Sequence, residues 1–130
     1  MELDLKNTHI LVVEDNTRTL RLIMAVLKDM GVGQVFTAKD GREAQTFLDG
    51  AREMINLIIC DWNMPRMTGL ELLKQVRMSD PGMPFLMVTA RGSVDSVMAA
   101  KKSGVSAYIV KPFSPSELEQ KVVSLARRLN

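Results

Sequence analysis

Short apolar runs alternate with amphipathic stretches along this chain, and that alternation limits the folds open to it. Five runs have the length of a strand: HILVV (9–13), QVFTA (34–38), NLIIC (56–60), PFLMV (84–88) and SAYIV (106–110). Unbroken apolar runs of this length are typical of strands that are buried on both faces of a parallel sheet. Strands that alternate with helices predict an α/β fold, in which helices cover both faces of one five-stranded parallel sheet.

The stretches between the runs carry the end signals of helices. We predict helices over residues 16–31, 40–51, 70–78, 93–104 and 114–129. The first stops at Gly31, and glycine is the usual residue just past a helix C-terminus. The last opens on Ser114 and Pro115 with Glu117 three residues after the serine, which predicts a helix N-terminus with a capping box.

Length, charge and cysteine content exclude several classes of protein. A chain of 130 residues without a visible linker fits one domain, so we expect residues 1–130 to form it with no attached output domain. The net charge of +2 is too small to indicate nucleic acid or an anionic membrane as a partner. The N-terminus lacks a signal-peptide pattern and no apolar run is long enough to span a membrane, so we expect a cytoplasmic protein. The single cysteine can form no intrachain disulfide.

Polar side chains stand where four of the five runs end. Glu14 and Asp15 follow the first run, Asp61 follows the third, and Thr89 and Lys111 follow the fourth and fifth. Because ligands of open α/β sheets bind beyond the carboxyl ends of the strands, we expect these side chains on one rim. Three carboxylates that repel one another favour a hard cation such as Mg²⁺, which also bridges to phosphate oxygens. With a lysine beside them, they indicate phosphoryl transfer onto an aspartate.

Each of these residues also has an ordinary structural interpretation when it stands alone. Glu14 and Asp15 could cap the first helix, because acidic side chains favour helix N-termini. Thr89 could be a simple strand-end residue, and Tyr108 could be an aromatic residue of the core. Only their common position at one edge of the sheet favours a functional site.

Four motifs occur together and in register: ED at 14–15, DWNMPRMTG at 61–69, TA at 89–90 and YIVKPF at 108–113. As a set they resemble the receiver domains of two-component signalling, and the resemblance covers essentially the whole chain. The motifs are most similar to those of the single-domain receivers of chemotaxis. The resemblance implies the flavodoxin-like strand order 2-1-3-4-5 and a cis Lys111–Pro112 bond.

The resemblance also implies roles for individual residues. Asp61 would accept the phosphoryl group, Thr89 and Lys111 would contact it, and the rotamer of Tyr108 would report activation. The ligands of a Mg²⁺ ion would be the side chains of Glu14, Asp15 and Asp61 and the backbone carbonyl of Asn63.

The chain departs from the chemotaxis pattern at three places. Glu14 stands where an aspartate is usual, which leaves open whether it contacts the metal directly or through water. Arg91 is a long cation at a position that varies in the family, and we expect it to lean over the phosphoryl group and modulate its lifetime. The spacings from Asp15 to Asp61 and from Asp61 to Thr89 also differ slightly. Trp62 is expected to be a partly exposed neighbour of the site.

The function implied is that of a stand-alone response regulator. A histidine kinase would phosphorylate Asp61, and the face formed by the fourth helix, fifth strand and fifth helix would then bind a downstream protein, such as a flagellar motor switch. We expect a monomer that acts as a signalling switch, with phosphorylation and hydrolysis of its own, rather than as a metabolic enzyme.

Three alternatives use the same fold or chemistry. A phosphorelay shuttle or a phosphate sink would pass the phosphoryl group on instead of binding a motor. A flavodoxin-like FMN binder would need an anion-binding loop after the first strand, where Glu14 and Asp15 would repel a phosphate. A metal-dependent phosphatase would need a second acid near Asp61, where Asn63 stands.

Overall fold

The protein alternates strand and helix five times, as the sequence predicts. A computed structural model describes residues 3–128. The strands are β1 (His9–Val13), β2 (Gln34–Ala38), β3 (Leu57–Cys60), β4 (Phe85–Thr89) and β5 (Ala107–Val110). The helices are α1 (Thr17–Asp29), α2 (Gly41–Ala51), α3 (Gly69–Ser79), α4 (Val94–Lys102) and α5 (Pro115–Arg127), with a short 3-10 helix at Arg52–Met54. The expected end of the last helix at residue 129 lies outside the described residues.

The five strands form one parallel sheet in the order β2-β1-β3-β4-β5, which confirms the expected fold class. Val13, the last residue of β1, lies beside Ala38 of β2 and Cys60 of β3. On the other side of the sheet, Thr89 of β4 lies beside Val110 of β5. Because all strands run in one direction, the residues that follow them meet at the same edge of the sheet.

Alternate residues of each strand face two separate cores. Leu11, Ile58 and Phe85 face the core that α2, α3 and α4 cover. Ile10 and Ile59, which are neighbours of these residues along the strands, face the core that α1 and α5 cover. All five of these side chains are at most 1% exposed. The central strands are therefore apolar at consecutive positions because they are buried on both faces.

The helix ends confirm the end signals of the sequence. Each of the five helices begins after a polar residue whose side chain accepts a hydrogen bond from the first turn: Asn16, Asp40, Thr68, Ser93 and Ser114. Ser114 and Glu117 form the expected capping box. Gly31 has a φ of +81°, the left-handed conformation that favours glycine past a helix end. No helix within residues 3–128 is long and apolar enough to cross a membrane.

Gly69 marks the point where the loop after β3 folds back most closely. Its N–H donates to the carbonyl of Trp62 at 2.8 Å, and a Cβ added here would lie only 2.1 Å from the carbonyl oxygen of Asp61. Only a residue without a side chain fits so close to the backbone. The segment 61–69 is therefore a closed loop at the carboxyl edge of the sheet.

We expect Gly69→Ala to lower the free energy of unfolding by about 1–3 kcal/mol, because the added methyl group overpacks a backbone contact. The matched control is Gly50→Ala in α2, where a Cβ would meet nothing within 4 Å. That change should stabilise the protein by up to about 1 kcal/mol, since alanine favours a helix over glycine. Urea unfolding measures both, and equal stability of the two variants would contradict the close approach at Gly69.

Candidate functional site

Backbone hydrogen bonds just beyond the strands place the charged side chains of the site. The N–H of Glu14 donates to the last residue of β2 at 3.0 Å, and the N–H of Asp61 donates to the last residue of β1 at 3.0 Å. Across the sheet, the N–H of Lys111 donates to the carbonyl of Thr89 at 2.8 Å. These bonds extend the sheet's ladders by one residue. The rigid sheet, rather than a flexible loop, therefore positions all three side chains.

The ammonium group of Lys111 lies between two carboxylates. Its Nζ is 2.9 Å from Oε1 of Glu14 and 3.2 Å from Oδ2 of Asp61. The side chains of Glu14 and Asp61 are 1% and 9% exposed, so neither carboxylate can rely on water for its solvation. A buried charge is costly unless it is paired and hydrogen bonded. Lys111 is thus what allows two acids to share this small space.

The second oxygen of each acid accepts a backbone hydrogen bond. Oε2 of Glu14 accepts from the N–H of Asn16 at 3.1 Å. Oδ1 of Asp61 accepts from the N–H of Trp62 at 2.6 Å. Each carboxylate is therefore oriented by the Lys111 ammonium group on one oxygen and by a backbone N–H on the other.

This environment shifts the pKa values of Glu14 and Lys111. Burial raises the pKa of Glu14; the hydrogen bond from Lys111 opposes that shift, and the negative charge of Asp61 adds to it. Burial acts to lower the pKa of Lys111. The hydrogen bonds and negative charges of Glu14 and Asp61 outweigh that effect, so the pKa of Lys111 is raised. Lys111 consequently keeps its positive charge at neutral pH.

The acids after β1 and β3 form the cluster that the sequence predicts. One oxygen each from Glu14, Asp15 and Asp61 lies within 4.8 Å of the others, with Asp15 the exposed member. Among the hydrogen bonds of residues 3–128, none engages the backbone carbonyl of Asn63. Carboxylate and carbonyl oxygens are the ligands that a hard divalent cation such as Mg²⁺ prefers, so this donor set fits the ion.

Arg91 extends from the loop after β4 to the loop after β3. Its Nε donates to the side-chain oxygen of Asn63 at 3.0 Å, and its guanidinium carbon lies 4.7 Å from the ring centroid of Trp62. Trp62 is only 7% exposed, so the expectation of a partly exposed ring was wrong. The ring is covered because it packs into the core that α2, α3 and α4 cover, and because Arg91 lies over it in a cation–π contact.

Thr89 and Tyr108, for which the resemblance implies roles in phosphoryl contact and activation, both contact the backbone of Arg91 in the loop after β4. Thr89 is fully buried, and its hydroxyl oxygen lies 3.4 Å from the backbone N of Arg91. The hydroxyl of Tyr108 donates to the carbonyl of Arg91 at 2.6 Å. The loop after β4 is thus tied to β5 through its backbone and to the loop after β3 through the Arg91 side chain.

One charged pair beside the site was missed by the sequence analysis. Asp40 is the N-cap of α2, and its Oδ2 lies 2.8 Å from a terminal guanidinium nitrogen of Arg66. The side chain of Asp40 is 3% exposed and that of Arg66 is 65% exposed. The capping role of Asp40 has a signal in the sequence, since it precedes a helical pattern. The pairing of Asp40 with Arg66 has no such signal, because 26 positions separate the two residues in the sequence.

The parallel sheet, the acidic cluster and the bridging lysine together define a class: doubly wound α/β domains whose polar site lies at the carboxyl edge of the sheet. Residues 10–123 match the model of the response regulator receiver domain, and the chain belongs to that family. It is 37% identical over 123 residues to the chemotaxis protein CheY of Pseudomonas aeruginosa. That alignment covers 93% of this chain and 98% of the relative.

Two solved structures illustrate the similarity of fold. The chemotaxis response regulator CheY4 of Vibrio cholerae is 36% identical, with a TM-score of 0.83 over 91% of this chain and 98% of that one. The CheX–CheY–BeF3–Mg+2 complex from Borrelia burgdorferi includes a chain that is 26% identical. Its TM-score is 0.87, over 91% of this chain and 88% of that one. The expected strand order and the family resemblance are thereby confirmed.

The raised pKa of Glu14 makes a testable contribution to the pH dependence of stability. Between the ordinary glutamate value of 4.5 and its own higher pKa, Glu14 binds more protons in the folded than in the unfolded state. The free energy of unfolding therefore falls as the pH rises through this window. We expect the melting temperature of the metal-free protein to fall relative to Glu14→Gln over that range. A difference in melting temperature between the two proteins that does not change with pH would contradict the raised pKa of Glu14.

Proposed function

We propose that this protein is a stand-alone response regulator that accepts a phosphoryl group on Asp61 from a histidine kinase. The observation that carries the proposal is the position of the Asp61 carboxylate. It follows the central strand β3, lies 3.2 Å from the Lys111 ammonium and belongs to the acidic cluster. Residues 10–123 match the receiver domain, and the alignment with the P. aeruginosa relative covers 98% of that protein, which supports a receiver role for this chain.

In the proposed transfer, the Asp61 carboxylate attacks the phosphorus atom of a phosphohistidine. A phosphorus–oxygen bond forms, the phosphorus–nitrogen bond breaks, and the imidazole nitrogen keeps the electron pair and takes a proton. Lys111 contacts the oxygens of the transferred group and offsets their charge, a role suited to a fixed point charge. Thr89, at the neighbouring strand end, provides a hydroxyl for the same oxygens. Positioning and charge compensation supply most of the catalysis in phosphoryl transfer.

A magnesium ion, when bound, would neutralise the charge that develops on the transferred phosphoryl group. The residues that would hold it are Glu14, Asp15 and Asp61 through their carboxylates and Asn63 through its backbone carbonyl. The proximity of the three carboxylates supports this choice, as does the oxygen chemistry of all four groups. The Borrelia complex, with 26% identity in its matched chain, carries BeF3 and magnesium in its name, which agrees with a metal-dependent site in this fold.

Phosphorylation would be communicated through Thr89 and Tyr108. The hydroxyl of Tyr108 is bonded to the loop that Thr89 begins, so a shift of that loop toward the phosphoryl group would change the position that Tyr108 prefers. Tyr108 borders the face of α4, β5 and α5, where Val94 and Met98 are 77% and 47% exposed. This face would bind the downstream protein. The names of the relatives support a target in chemotaxis, such as a flagellar motor switch.

The alternatives receive less support. An FMN binder is disfavoured because Glu14 and Asp15 occupy the place where the cofactor phosphate would bind. A phosphorelay shuttle or phosphate sink would use the same site, and it differs only in the fate of the phosphoryl group. Capture of partners in the presence and absence of a phosphoryl mimic separates it from motor control, because a shuttle would bind a phosphotransfer protein in place of a motor component.

Asp61→Asn should abolish phosphorylation. We expect the wild type, incubated with a small phosphodonor and magnesium, to gain one phosphoryl group. This group should be labile to hydroxylamine, because an acyl phosphate is a mixed anhydride whose carbonyl carbon hydroxylamine attacks. Intact-mass measurement reads out the gain, and a chelator should prevent it. The control is Asp49→Asn, an exposed carboxylate of α2, which should behave like the wild type. A phosphoryl group that remains in Asp61→Asn would contradict the assignment of the acceptor.

We further propose that Arg91 prolongs the phosphorylated state. Its guanidinium group is bonded to Asn63 and stacked on Trp62, the two residues that follow Asp61. From this position it can pair with phosphoryl oxygens and restrict the approach of water to the phosphorus atom. It can also attract an anionic phosphodonor over a longer range. The first effect acts on hydrolysis and the second on phosphorylation, so the two can be measured separately.

Arg91→Ala should hydrolyse its phosphoryl group about two- to fivefold faster, as expected for contacts worth about 0.5–1 kcal/mol at an exposed site. A difference that persists at high salt indicates direct shielding, whereas slower phosphorylation that salt abolishes indicates long-range attraction. Arg91→Lys is the control, because it keeps the charge and loses the planar group. If neither rate changes, Arg91 is a solvated loop residue and the proposal is wrong.

A further inference from the structure

Arg66 occupies a strained position in the loop that carries Asn63. Its φ is +67°, the one positive φ of a non-glycine residue within the described part of the chain. The N–H of Met67 donates to the carbonyl of Pro65 at 2.8 Å, which closes a three-residue turn around Arg66. A γ-turn with positive φ at its centre is rare and strained, so surrounding contacts must hold it.

The side chain of Arg66 makes the contact that can hold this turn. Its Nε and a terminal nitrogen lie 2.9 Å and 2.8 Å from the same oxygen, Oδ2 of Asp40. The other oxygen of Asp40 accepts the N–H of Glu43 at 2.8 Å and so caps α2. The carboxylate therefore joins the tip of the loop to the start of a helix that the core already holds in place.

A backbone contact reinforces the same junction. The N–H of Gly41 donates to the carbonyl of Met67 at 3.2 Å, and a Cβ at Gly41 would lie 2.5 Å from that oxygen. At its base the loop is closed by the bond between Gly69 and Trp62. Asn63 lies between the closed base and the anchored tip.

We propose that Arg66 and Asp40 form a positioning pair that keeps the backbone carbonyl of Asn63 in place as a ligand for the metal. The inference rests on the proposed function, because it concerns the same site. Neither side chain touches the reacting atoms. The pair acts through the loop: it holds the strained turn at Arg66, and the turn sets the course of the backbone from Asp61 to Met67.

A purely structural ion pair is the competing explanation, since exposed pairs contribute little. The geometry of the pair argues against that view. One oxygen of Asp40 takes both Arg66 nitrogens and the other caps α2, so a single carboxylate links the strained turn to the start of a helix. Loss of Arg66 would remove the side-chain anchor of that turn, so the loop that carries Asn63 would be free to rearrange.

Two variants test the pair by different routes. Arg66→Gly removes the side chain while it allows positive φ, so the backbone strain does not confuse the result. Asp40→Asn retains a capping side chain for α2 and removes the charge. Arg42→Ala removes the same charge from an exposed neighbouring position and serves as the control. Arg66→Asn, which removes the charge and tolerates the positive φ, is the reserve variant if Arg66→Gly does not fold.

The first measurement is the magnesium dissociation constant, obtained from the dependence of the melting temperature on magnesium concentration. We expect Arg66→Gly and Asp40→Asn each to weaken magnesium binding about tenfold, as is usual when a group that orients a metal ligand is lost. The double variant should be no weaker than the single variants, because the two residues act as one pair. At saturating magnesium the rate of phosphorylation should recover toward that of the wild type.

The second measurement is hydrogen exchange of the amides of Met67 and Gly41 in the metal-free protein, which should be faster in both variants and unchanged in Arg42→Ala. Faster exchange with unaltered magnesium affinity would overturn the positioning role and leave only a structural pair. A wild type that does not respond to magnesium would overturn the proposed metal site itself. Equal magnesium dissociation constants for the wild type and the variants would overturn the positioning role alone.

Discussion

The whole site depends on one lysine ammonium group placed between two buried carboxylates. Glu14 and Asp61 extend from neighbouring strands at the edge of the sheet, where apolar side chains limit their access to water. Repulsion between them would be costly there, and Lys111 relieves it with contacts at 2.9 Å and 3.2 Å. The same arrangement serves chemistry, because a positive charge fixed beside an aspartate can receive the oxygens of an incoming phosphoryl group.

Around this pair, the sheet is rigid and the loops carry the adjustable parts. The central strands are buried between two cores, so the positions of Glu14 and Asp61 are fixed by ladder hydrogen bonds. The loops after β3 and β4 lie outside these ladders. Contacts of Arg66 with Asp40 and of Arg91 with Asn63 tie them to neighbouring segments, in addition to the buried ring of Trp62. Segments outside the ladders open more easily than core strands, which is a suitable property for a switch.

The alternation of strands and helices and the polar residues at the strand ends could be read from the sequence because they follow from short-range patterns, whereas the strand order came from the resemblance to receiver domains. Apolar runs of strand length and helix end signals such as Gly31 are local, and all ten main elements appear where they were expected. The prediction for Trp62 failed for a specific reason. A tryptophan in a polar loop suggests exposure, but its ring is buried because it packs into the core and because Arg91, from a different loop, lies over it. The roles of Asp61 and Tyr108 stay predictions, since only phosphorylation can test them.

By itself, the amino-acid sequence determined the order of strands and helices, the two-sided burial of the sheet and the set of acids, hydroxyl and amine at strand ends. Periodicity and chain direction are sufficient for that, because parallel strands bring their carboxyl ends to one edge. Only the tertiary structure decided which charges pair. Lys111 with Glu14, and Arg66 with Asp40, join residues 97 and 26 positions apart. Pairing at such separations depends on the packing of whole elements, and no local pattern encodes it.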